Sequence, residues 1–257
     1  MALVTLPHEL DIAKQLAELA NEMCSGTIHA EAEFTRKDYI FFALADKNFA
    51  TFDAIRFLAE KGYADDAFVL VRTLAECTVN AAYVGNVSDE VANDYADFSS
   101  FMNWKEFEGM QAVAPESVKD IPAKEIGEMR QAFEAVKKRF ENNRPMDWCS
   151  KPLFQRATEM DKAVSKDFNL LRTIINSPWR KASAYVHGTA SSITSRLRER
   201  DGGIVIHRQF TEEEAAAALY AANLIMFALL AFVDLRIGKK HAEKWRNLHE
   251  RWAEKSG

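Results

Sequence analysis

Arg180 and His187 bound the stretch Arg180-Lys181-Ala182-Ser183-Ala184-Tyr185-Val186-His187, whose side chains could handle a phosphodiester. In an α-helix seven residues advance about 700°, roughly 20° short of two turns. The two side chains then leave one face about 10 Å apart along the axis. A guanidinium offers two parallel donors to phosphate oxygens. An imidazole titrates near neutral pH and can take the proton of an attacking 2′-hydroxyl, or return one to a leaving oxygen. Such chemistry calls for no metal and no cofactor. Ser183 and Tyr185 stand between the pair as supporting residues. The same spacing has a structural reading, in which His187 closes a helix by bonding its last carbonyls ahead of Gly188.

A second group lies upstream. Arg72, Glu76 and Asn80 follow at i, i+4 and i+8, with Tyr83 close by, as one polar stripe on an otherwise apolar segment. An unpaired buried charge there costs several kcal/mol, so the stripe needs partners. Either Arg72 and Glu76 form a self-contained ion pair that fixes packing, or Glu76 orients His187 or Arg180 from behind. Local charge bears on the same region. Between Arg172 and Arg208 there are seven basic and two acidic residues, a net +5 in a chain of −5, so the remainder carries −10. Lys181, Arg196 and Arg198 belong to this basic island and are read as anion-binding, against the alternative of solvated loop arginines. With a sequence pI near 5.8 there is no global attraction to nucleic acid.

The elements that position these residues read as helices. Ten Gly and six Pro in 257 residues, about half of average usage, exclude a sandwich or barrel of many short strands. An apolar content of 48% excludes wholesale disorder. The periodicity predicts helices over about 8–23, 36–61, 64–84, 88–110, 125–142, 154–164, 167–175 and 179–187. A long apolar helix follows from 212 to about 237, then a charged terminal one. Ser177-Pro178 reads as a cap with proline at the first helical position, Gly62 and Gly188 as helix stops, and the stretch 143–153 as a hinge. Asp201-Gly202-Gly203 between two short runs predicts a hairpin. The expected architecture is all-α: a multi-helix bundle with long antiparallel helices and one small irregular or hairpin insert. Its parts are an N-terminal helix and linker (1–34), a main helical domain (35–238, insert 189–210) and a C-terminal helix (239–257).

Other chemistry is weakly supported. Cys24, Cys77 and Cys149 lack CxxC spacing and read as reduced thiols, Cys77 as an inert packed one. No phosphate-cradling, nucleophile-elbow or dinucleotide motif occurs. His29, Glu31 and Glu33, and His241 with His249, lack zinc-site spacing, so no metal is expected. Ala215 to Val233 carries no charge and is long enough for about 30 Å of bilayer. Its alanines, Asn223 and Tyr220 equally suit a central helix wrapped by others, and that reading is adopted, without a membrane. The N-terminal MALVTLPHELDIAKQL shows no secretory signal, so a cytoplasmic location is expected.

Leu58-Ala-Glu-Lys-Gly62-Tyr-Ala-Asp-Asp-Ala67, Leu70-Val-Arg72-Thr-Leu-Ala-Glu76 and Ala182-Ser183-Ala-Tyr185-Val-His187-Gly188 resemble the domain of unknown function 5677 family over roughly 35–235. That resemblance implies an all-helical, mostly bacterial, cytosolic protein with no established activity. Arg180-x6-His187 also resembles the Arg-x4–6-His signature of the HEPN superfamily. Many of its members are metal-independent ribonucleases in toxin–antitoxin, phage-defence or CRISPR systems, often dimeric. The resemblance implies Arg180 on phosphate, His187 as acid/base, RNA as substrate, a homodimer and a cognate antitoxin or regulatory protein. The chain departs from it in placing Lys181 directly after the Arg, in exceeding a minimal bundle, and in lacking overall positive charge. The expected function is therefore a HEPN-like metal-independent endoribonuclease in a stress or phage-defence role. The alternative is a non-catalytic helical module binding a nucleotide, RNA or protein partner through the same polar pocket.

Overall fold

The computed structural model describes residues 5–24, 34–141, 147–165, 169–189, 197–200, 202–206 and 211–256. The described chain is an all-α bundle with one two-stranded hairpin. The helices are α1 (Leu6–Cys24), α2 (Arg36–Glu60), α3 (Ala64–Asn86), α4 (Asp89–Val113), α5 (Ala123–Phe140), α6 (Leu153–Val164), α7 (Leu170–Ile174), α8 (Arg180–Val186), α9 (Glu212–Arg236) and α10 (Ala242–Ser256). Antiparallel strands β1 (Leu197–Arg200) and β2 (Gly203–Ile206) form the hairpin, with Arg198 opposite Val205.

The apolar α9 lies at the centre, packed by α1, α2 and α3. Its buried residues run from Ala215 to Asp234 and include Leu219, Ile225, Phe227 and Leu230. By length and composition α3 and α9 could each cross a membrane, yet most of each apolar window is covered by neighbouring helices. Thr211 and Glu214 cap α9 reciprocally, Thr211 Oγ1 accepting from the Glu214 N–H at 3.2 Å and Glu214 from the Thr211 N–H at 3.0 Å.

α2 and α3 form an antiparallel pair joined by a Schellman turn. Gly62 has φ +79°, its N–H donates to the Ala59 carbonyl, and Tyr63 N–H reaches back to Leu58. At the far end of the pair a Cβ on Gly85 would lie 2.7 Å from Phe41 Cδ2, so any larger residue there would force the Phe41 ring to shift. α4 and α5 make a second hairpin with its own aromatic interior, where Phe101 contacts Phe133 and Phe140.

The expected break at Ser177-Pro178 is corrected. α7 continues through a π turn (Ile175–Trp179) directly into α8, with Pro178 buried inside it. Proline lacks the N–H that an α-turn requires, and its ring collides with the carbonyl four residues back. A widened turn passes it without ending the helix. The expected hinge is only partly within the described residues, and the part that is, from 147 on, is packed down: Trp148 is buried and contacts Tyr95 and Tyr83.

The terminal helices join the same hydrophobic core as the middle of the chain. Glu9 on α1 is fully buried, accepting from Asn223 Nδ2 on α9 at 2.7 Å and from Trp252 Nε1 on α10 at 3.0 Å. Burial pushes its carboxyl up, against the downward pull of those hydrogen bonds. A carboxyl with a raised native pKa holds its proton longer folded than unfolded. Its stabilising contribution is complete in acid and is lost as pH rises through the native value. Glu9→Gln, which stays neutral, should melt with the wild type at about pH 4 and be the more stable by about pH 7, thermal melting across that range being the measurement.

Candidate functional site

α8 ends on a second Schellman turn. Gly188 has φ +56°, its N–H donates to the Tyr185 carbonyl at 3.2 Å, and Thr189 N–H donates to Ala184 at 3.1 Å. The backbone thus satisfies the last carbonyls, and the His187 ring does not serve as their cap. It turns to α3 instead, where Arg72 Nη1 stands 3.1 Å from His187 Nε2.

Arg72 is itself held. Its Nε donates to Glu76 Oε1 at 3.0 Å, and the same oxygen accepts from Trp179 Nε1 at 2.8 Å. The guanidinium carbon lies 5.3 Å from the centre of the Trp179 ring. Glu76 therefore orients His187 at one remove, through Arg72. With side chains 24% and 37% exposed, the Arg72–Glu76 pair is partly screened, and an i,i+4 pair of this kind contributes only about 0.3–0.5 kcal/mol. Its effect is to fix direction.

Arg72 also borders a cleft of about 610 Å³. Arg72, Glu76 and Asn80 form its α3 wall. Trp179 and Arg180 border it from the π turn and α8, and Asp147, Trp148 and Arg156 from α6 and the segment before it. Arg156 is 3% exposed. It donates to Asn80 Oδ1 at 2.5 Å and to both Asp147 oxygens at 3.2 Å, and lies over the Trp148 ring. Asn80 is thereby committed to Arg156. Arg180 is exposed and borders the cleft, whereas His187 does not. Arg72 connects the two.

The other predicted residues lie apart from this group. Ser183 Oγ donates to its own helix at the Trp179 carbonyl, 2.8 Å away. Tyr185 stacks on Phe68 at 4.7 Å, and burial pushes its hydroxyl up. Lys181 Nζ stands over the same Phe68 ring at 4.7 Å. Arg196, the Arg198 side chain and the trio His29, Glu31 and Glu33 fall outside the described residues. His241 lies 3.7 Å from Glu22, and His249 packs edge-on to Phe227, where burial pulls its imidazole down. Burial likewise pushes the Cys77 thiol up, consistent with a packed, unreactive sulfur. Among the described residues no group of three or more His, Cys, Asp or Glu gathers to hold a metal.

Sequence reasoning missed Trp179, Arg156, Asp147 and Trp148. Arg156 meets Asn80 across 76 positions, a pairing that no local spacing announces. Trp179 sits beside Arg180, and its indole N–H, which seeks an acceptor when partly buried, was the available signal.

Residues 38–204 match the family described as "Family of unknown function (DUF5677)". The three motifs quoted above all fall inside that span. Neither a curated protein nor a solved structure matches the chain.

Breaking one side of the Arg156 cluster leaves a buried guanidinium short of a carboxylate. Asp147→Ala should cost roughly 2–4 kcal/mol in urea denaturation, while adding Arg156→Met to it should recover part of the loss.

Proposed function

The chain belongs to the DUF5677 family, and we propose that it is a HEPN-like, metal-independent endoribonuclease acting in stress or phage defence. The observation that carries the reading is the bridge through Arg72: Arg180 opens on a cleft with aromatic and cationic walls, and Arg72 on the same cleft touches His187 Nε2. In this reading the Arg180 guanidinium grips the scissile phosphate through two oxygens. His187 takes the proton of the neighbouring 2′-hydroxyl. The 2′ oxygen attacks phosphorus, the bond to the 5′ oxygen breaks, and that oxygen leaves carrying a returned proton. The products are a 2′,3′-cyclic phosphate and a 5′-hydroxyl. Charge neutralisation comes from arginine and proton transfer from histidine, so the step draws on no metal. The same reading places the protein in the cytoplasm as a homodimer, with RNA as substrate and a cognate antitoxin or regulatory protein as partner.

A second reading rests on its own observation: His187 does not border the cleft that Arg180 borders. The cleft would then serve a non-catalytic module that binds a nucleotide, RNA or protein partner. There Arg180→Ala would weaken binding and no turnover would occur.

Incubation of the purified protein with single-stranded RNA in the presence of a chelator decides between them. The nuclease reading expects fragments ending in cyclic phosphate. It expects His187→Ala and Arg180→Ala each to slow cleavage by roughly 10²–10⁴-fold, with melting unchanged. Cleavage by His187→Ala at the wild-type rate would refute it.

A further inference from the structure

The ring nitrogen available to act as base is already occupied. Arg72 Nη1 stands 3.1 Å from His187 Nε2, and a guanidinium N–H can donate there only if that nitrogen carries a lone pair. The lone pair a base would use is thus engaged by Arg72. Among the residues bordering the cleft, Arg72 is the one bonded to His187.

Its anchoring is one-sided. Glu76 Oε1 holds Nε at 3.0 Å, and the Trp179 ring lies against the guanidinium. No carboxylate among the described residues takes the edge formed by Nη1 and Nη2. That edge is the fork a phosphate engages through two parallel hydrogen bonds. A change of partner at Nη1 leaves the Nε bond to Glu76 in place.

We propose that Arg72 is a substrate-responsive cap on His187: a phosphodiester entering the cleft takes the Nη edge of Arg72, and His187 Nε2 is released to act as base. The proposal rests on the ribonuclease reading and adds a gate to it. The exchange runs toward phosphate because an anion can take two parallel N–H donors of the fork at once, whereas the imidazole nitrogen takes one. No covalent bond changes in this step. One hydrogen bond to an imidazole nitrogen is traded for two to phosphate oxygens. The free protein thereby keeps its base engaged, and the substrate itself uncovers it. Arg72 then touches substrate and also acts through His187, and Glu76 is a positioning residue for Arg72.

The test is nitrogen NMR of the full chain with ¹⁵N-labelled histidine in alkaline buffer, the His187 signal being assigned by its loss in His187→Gln. The probe is thymidylyl-(3′→5′)-thymidine, a phosphodiester with no 2′-hydroxyl, so that nothing is cleaved. Binding should move the His187 Nε2 resonance toward that of an imidazole nitrogen without a hydrogen bond. Arg72→Lys, which keeps a cation for Glu76 but has no fork, should show the released position before any probe is added, and no further movement. A probe that binds while the wild-type resonance stays fixed overturns the gate, as does absence of binding or an unchanged resonance in Arg72→Lys. The wild-type titration decides alone if that variant fails to fold. A resonance that moves in a protein that never cuts RNA would refute the nuclease reading and leave the gate standing.

Discussion

One carboxylate oxygen joins the two walls of the site. Glu76 Oε1 takes Arg72 Nε from its own helix and Trp179 Nε1 from 103 positions further along the chain. Two donors converging on one acceptor fix an angle as well as a distance, so the π turn cannot slide along α3 without breaking the Trp179 bond. The free energy involved is modest, since the Arg72–Glu76 pair is partly exposed and screened. The directional constraint is larger in effect. It sets where Arg72 points, and Arg72 borders the cleft while touching His187.

The same device recurs where helices meet. Asp161 on α6 is fully buried and accepts from the backbone N–H groups of Leu171 and Arg172 at 2.9 Å. It serves the unpaired donors at the start of α7 from a different helix. Asp234 near the end of α9 takes His241 N–H and the Trp245 indole, turning the chain into α10. Glu9 joins three helices in the interior. Several of the acids behind the net charge of −5 are therefore spent on inter-helix connections, and the acidic balance carries less information about partners than its sign implies.

Much of the bundle was legible because its signals are local. Gly62 and Gly188 stop their helices with positive φ, and Thr211 with Glu214 starts α9. The i,i+4 spacing of Arg72 and Glu76 gave their contact directly. The π turn was not legible, since Ser177-Pro178 carries the same residues as a helix start and only tertiary packing distinguishes the two. The site was half legible. Helical spacing singled out Arg180 and His187, but it is silent on what stands between them. Nothing in one sequence connects His187 to Arg72 across 115 positions, or Arg156 to Asn80.

The local construction of the site follows from how α8 begins and ends. At its start, Pro178 removes an N–H and would clash with an α-helical neighbour, so the backbone widens into a π turn. The widening ends on Trp179, immediately before Arg180, and both border the cleft. At its end, Gly188 and Thr189 satisfy the last carbonyls through the backbone, which frees the His187 ring from that task. A short helix fixed at both ends by main-chain features, with Ala182 buried and Tyr185 stacked on Phe68, needs neither Arg180 nor His187 to stay in place. Arg180 and His187 are for that reason available to the surface, while Ala182 alone of α8 is fully buried. Economy of this kind separates the residues that hold a segment from the residues that segment presents, and it leaves Arg180 on α8 and His187 just past its end as polar groups that the helix ends do not require.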